Sequence, residues 1–120
     1  MHERSTSVAI GIMLAAATAA HAATKMTPAE IQSTLFTGAS FTAATPSGVK
    51  FKMAFNGDGR MTREPAAKAG AKGEGTWKVS TDGFCTTWKG QKENCYTLVA
   101  AGRNKWSVMN KSAIMAVWSK

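Results

Sequence analysis

The chain has 120 residues, 15 Lys and Arg against 7 Asp and Glu, two Cys and two His. That length allows one domain with a small core, and a hydrophobic fraction of 44% excludes a disordered chain. The formal charge of +8 favours anionic partners or surfaces.

Residues 1–22 read as a secretory signal peptide, leaving 23–120 as a single β-rich domain. Arg4 and the amino terminus give a weakly positive start, diluted by Glu3. The apolar run from Val8 to Ala20 is shorter than the roughly 17–25 residues that a membrane span needs. Ala20 and Ala22 flank His21 and place small residues where a signal peptidase reads, predicting a mature start at Ala23. The expected location is periplasmic or secreted, with no transmembrane span. His2 and His21 both fall in the leader, so the exported part is expected to lack histidine. That removes histidine-dependent triads, His-based zinc sites and haem-His ligation. In an oxidising compartment Cys85 and Cys95 are expected to form a disulfide. A redox-active pair would favour Cys-x-x-Cys at a helix start, and these two are spaced more widely.

After the leader, Thr27-Pro28-Ala29-Glu30 opens a helix: Thr27 caps, Pro28 fits the first position and Glu30 completes a capping box. Ile31, Leu35 and Phe36 give it one apolar side, and Gly38 is a stop, so the helix is predicted over 28–36. The period then changes to two. Val49, Phe51, Met53 and Phe55 alternate with Lys50, Lys52, Ala54 and Asn56, as in a half-buried strand. Asn56-Gly57-Asp58-Gly59 is a hairpin turn and Arg60–Arg63 the returning strand. Residues 64–75 lack apolar periodicity and read as an exposed loop.

The second half reads as a meander. Trp77 and Val79 share one face; Phe84, Thr86 and Trp88 face inward, with Cys85, Thr87 and Lys89 outward; Tyr96, Leu98 and Ala100 return on the core side. Turns are placed at 81–83, 90–94 and 102–104, and Trp106 and Val108 carry the next strand. Residues 112–119 are apolar on both faces, which predicts a strand covered on both sides. The expected fold is mainly β: a small curled antiparallel sheet or barrel of six to seven strands with one short N-terminal helix. In it Cys85 and Cys95 lie opposite one another across a hairpin, within disulfide reach.

Acid/base chemistry finds little to work with. Glu30 has a capping role, Asp58 and Asp82 sit in turns beside Gly, and Glu64, Glu74 and Glu93 are placed in loops. The 56–59 turn lacks the spaced oxygens and distal Glu of a calcium loop. The expectation is therefore a non-enzyme with no catalytic residues, no cofactor and no metal. Trp77, Trp88, Trp106 and Trp118 form either a packed core or an aromatic cavity for an apolar ligand. Lys50, Lys52, Lys78, Lys89, Arg103 and Lys105 fall on outward strand positions, a candidate anion-binding surface on one wall with no strand acid among them. Nucleic acid would suit the charge, but export argues against it.

Pro28 to Ile31, Gly48 to Phe55, Gly75-x-Trp77, Asp82-Gly83-Phe84-Cys85 with Trp88, and Cys95-Tyr96 resemble, in that order, a family of small exported alphaproteobacterial proteins of unknown function. The resemblance implies a periplasmic or secreted β-rich domain and no activity. The order of one Trp and two Cys is also loosely similar to small β-barrel protease inhibitors of the periplasm. The leading expectation is a monomeric exported binding module facing anionic lipid, glycan or an exported protein. The alternative is an inhibitor of an exported protease, using Lys25–Thr27 or the 64–75 loop.

Overall fold

The computed structural model describes residues 24–66 and 72–120. The predicted signal peptide, with His2 and His21, lies outside the described residues. Helix α1 (Pro28–Leu35) forms as its sequence dictates. The Thr27 hydroxyl accepts from the Glu30 N–H at 3.2 Å, and the Glu30 carboxylate accepts from the Thr27 N–H at 2.8 Å. Two otherwise orphan donors are thereby satisfied. Ile31 and Leu35 are fully buried, and Phe36 takes the C-cap. Gly38 then adopts a positive φ of 90° and donates its N–H to the Phe55 carbonyl at 2.8 Å, which ties the helix end to the sheet.

Eight antiparallel strands follow: β1 (Ser40–Ala44), β2 (Lys50–Phe55), β3 (Arg60–Pro65), β4 (Gly73–Val79), β5 (Phe84–Trp88), β6 (Asn94–Gly102), β7 (Lys105–Asn110) and β8 (Ala113–Ser119). Each pairs with its neighbour in sequence, and β1 pairs with β8 to close a barrel. Among the described residues the mainly β class and the single short helix are as expected. The strand beyond the seven that the pattern predicts is β1, whose inward set is only Phe41 and Ala43. A second correction concerns residues 64–75. β3 continues to Pro65 and β4 starts at Gly73, so Glu64 and Glu74 stand on strands. Their polar outward positions and the inward glycines give no apolar period, yet β3 stays in register with β2 as far as Pro65 and with β4 as far as the Arg63–Gly73 pair.

Inward residues of every strand meet in one core with Ile31, Leu35 and Phe36. Phe36 is its hub: its ring stacks on Phe55 at 4.3 Å and lies 4.6 Å from Trp77 and 5.4 Å from Phe84, between centroids. The helix therefore plugs one end of the barrel. Outward positions carry exposed Lys50, Lys52, Arg60 and Lys78. This sidedness is the reverse of a membrane-spanning barrel, whose outer band is apolar. Among the described residues no helix is long and apolar enough to cross a membrane.

Two further expectations are corrected. β8 is not covered on both sides, since Ile114 is 51% exposed. In a closed barrel each strand has an inner and an outer face, and nothing described here lies over the outer one. Val49, expected inward, precedes β2 and is half exposed. At the other end of the chain's first segment, the Met26 N–H donates to the Leu98 carbonyl at 2.8 Å and the Ala100 N–H to the Thr24 carbonyl at 3.1 Å. Residues 24–26 thus satisfy the β6 edge where β5 no longer reaches, and Lys25 to Met26 do not project.

Cys85 and Cys95 are register partners on β5 and β6, with Cα atoms 3.9 Å apart, and are joined by a disulfide. The bond lies on the barrel's outer side, because Phe84 and Thr86 occupy the inward positions of β5.

Candidate ligand cavity at the open end of the barrel

The end opposite the plug is not filled. A cavity of about 200 Å³ lies inside the barrel. Its floor is Phe55, Phe84 and Trp118, the aromatic residues that also pack against Phe36. Met53, Val108 and Ala116 contribute apolar wall, and Thr86 is the buried polar residue of that wall. Phe51, Trp88, Tyr96 and Arg63, all half-buried, bound it toward solvent together with exposed Met115. Small inward residues explain the space. Ala43 and Ala116, both in its lining, bring one carbon each to layers that larger side chains would fill.

Arg63 is the residue that sequence reasoning missed. It follows Met61 by two positions on β3, so it shares the inward face with a residue that is 1% exposed. Its guanidinium lies 4.2 Å from the Trp88 ring centroid and 5.3 Å from that of Phe51. Both rings offer a negative π-face to the cation. Gly73 makes the berth: a Cβ there would stand 3.1 Å from Arg63 Nε and 3.2 Å from its Cγ. Among the described residues no carboxylate lies within salt-bridge distance of Arg63. The signal was present in the alternation, as a charge at an inward position near the end of a strand.

The four tryptophans divide between the two ends. Trp118 and Trp88 line the cavity. Trp77 is core at the plug end, where its indole N–H donates to the Asn56 carbonyl at 2.8 Å. Trp106 faces Trp118 across the β7–β8 ladder and packs on the core without lining the cavity. The six cations are not gathered on one wall. Lys50 and Lys52 stand on β2, Lys78 on β4, Lys89 just beyond β5, and Arg103 and Lys105 at the β6–β7 turn. β7 neighbours neither β2 nor β4 in the barrel. Nor is the surface free of strand acids: Lys52 is in register with Glu64, and Glu74 stands on β4, while Lys78 Nζ lies 3.3 Å from Glu93 in the turn before β6. The local alternation assigns these cations to the outside but not to a sector of it.

Other groupings offer less chemistry. A depression of about 320 Å³ beside β2 and β3 is lined by Lys52, Lys72, Glu64 and Glu74 and is bordered by Arg63 as well, so cations and acids alternate there with one cation in excess. Cys85, Glu93 and Cys95 are close enough to share a metal ion, but both sulfurs are bonded to each other. Comparison with known proteins returned no matching family model, curated protein or solved structure.

Proposed function

We propose that the protein is an exported, non-enzymatic binding module that takes a small amphipathic ligand from the cell envelope into the open end of its barrel. The observation that carries this reading is the 200 Å³ left unfilled between an aromatic floor and a cationic rim, in a domain whose other end is packed tight. Eight strands enclose an interior just wide enough for side chains or one small ligand. Here small inward residues leave that choice to a ligand. The predicted leader, the disulfide and the polar outer wall support an oxidising, aqueous location such as the periplasm, and the place among small exported bacterial proteins is part of the same proposal. The test is native mass spectrometry of protein purified from its own periplasm, followed by titration of the delipidated protein with short-chain alcohols. A retained small molecule, or saturable binding that Ala116→Phe abolishes in a folded protein, is the expected result. An empty native protein with no saturable binding would refute the reading.

A further inference from the structure

Resting on that reading, we infer that Arg63 is the anion receptor of the cavity, and that the ligand is an acyl-type monoanion with an apolar part of about eight carbons. The charge at this place is unusual in its surroundings. Arg63 stands on the inward face, between two aromatic rings, with an apolar chamber on one side. A charge taken partly out of water is costly unless it is paired, and no described carboxylate pairs with it. Residues 67–71, which follow β3, contain no acid either.

The clamp also decides how a ligand can approach. Trp88 and Phe51 attract the guanidinium through their π-faces. Such contacts do not consume its N–H donors, and a carboxylate can accept two of them in parallel. On the solvent side of Arg63 a further basin is lined by Lys72, Lys89 and Gln91, with Glu74 as its one acid. An anionic head there meets cations ahead of it and beside it. Behind Arg63 the walls are apolar apart from the Thr86 and Thr45 hydroxyls and Tyr96, so the rest of the ligand must be largely apolar too.

Volume sets the tail. A dry cavity of roughly 150 Å³ accommodates benzene. By the same ratio, about 200 Å³ takes roughly eight carbons, which makes octanoate a fitting probe. A longer chain would have to leave the barrel past exposed Met115.

The experiment titrates the oxidised protein with octanoate, octanol and octylamine at fixed ionic strength. It follows the indole and arginine Nε–H signals in two-dimensional nitrogen–proton NMR spectra. Octanoate is expected to bind at least about tenfold more tightly than octanol, with octylamine weakest, as for a charge-assisted hydrogen-bonded pair. Arg63→Gln should bring octanoate to the affinity of octanol, with the dispersed indole N–H signals of the unaltered protein retained to show that the variant is folded. Arg63→Lys, which keeps charge but loses the fork, should fall between the two. Gly73→Val should act like Arg63→Gln by occupying the berth of the side chain. Equal affinities for octanoate and octanol in the unaltered protein, or an Arg63→Gln variant that still prefers octanoate, would overturn the assignment to Arg63 while keeping the cavity. Failure of all three probes to bind would overturn the cavity reading itself.

Discussion

Replacing Phe36 by Ala would test whether the helix is an integral plug or an ornament on a self-sufficient barrel. The ring is 2% exposed, stacked on Phe55 and in edge contact with Phe84. A buried aromatic side chain withdraws on the order of 200 Å² from water. At roughly 25 cal/mol per Å² that is about 5 kcal/mol, of which alanine retains a fraction. The aromatic pairs add about 0.5–1.5 kcal/mol each beyond burial. The void left behind cannot collapse easily, because the floor residues are held by closed ladders. The expected loss is about 4 kcal/mol, within the range of about 3–5 kcal/mol seen for buried Phe→Ala. A small domain has about 5–15 kcal/mol in all. Urea unfolding is the assay. With a slope of about 1.5 kcal/mol/M, the midpoint should fall by about 2–3 M. Phe36→Leu, which keeps most of the volume, should cost far less. A loss below about 1 kcal/mol with an unchanged slope would refute the plug, since the ring would then contribute little that the barrel lacks without it.

Three further outcomes follow from the same geometry. The disulfide closes a loop of sequence separation 10, worth about 2.7 kcal/mol on the chain-entropy account, so reduction should lower the melting temperature by about 10 °C or more; free-thiol titration of the oxidised protein should read zero. Gly75→Ala should be strongly destabilising in calorimetry, because the added Cβ would stand 2.5 Å from the Thr87 carbonyl oxygen and 3.1 Å from Trp88 Cα, both backbone atoms; a change under 0.5 kcal/mol would be inconsistent with that close approach. Vesicles of anionic lipid should retain the protein at low salt and release it near about 0.15 M, as cations spread round a barrel attract only through screened fields, and changing Lys50, Lys52 and Lys78 together to Gln should weaken the retention without unfolding.

What the sequence alone determined was local. The capping box from Thr27 to Glu30 needs only neighbouring residues, and it formed as expected. The inward Phe51, Met53 and Phe55 on β2, Phe84 and Thr86 on β5, and Tyr96 and Leu98 on β6 follow from a period of two, although Ala100, expected on the core side, is exposed; the Cys85–Cys95 pairing follows from one hairpin whose register its turn fixes. β1 was invisible because two inward residues make no pattern, and β8 looked doubly covered because apolar outward residues need no second layer. Tertiary structure decided what depends on closure. The β1–β8 seam joins strands from opposite ends of the domain, and it alone sets the strand number and hence the width of the interior. Closure also spread the cations around the circumference that alternation could only call outside. And it set Arg63 against Phe51 and Trp88, residues of two different strands, beside a space that no single strand's pattern could reveal. A cavity is a property of how volumes from many strands fail to add up, and only the packed structure performs that sum.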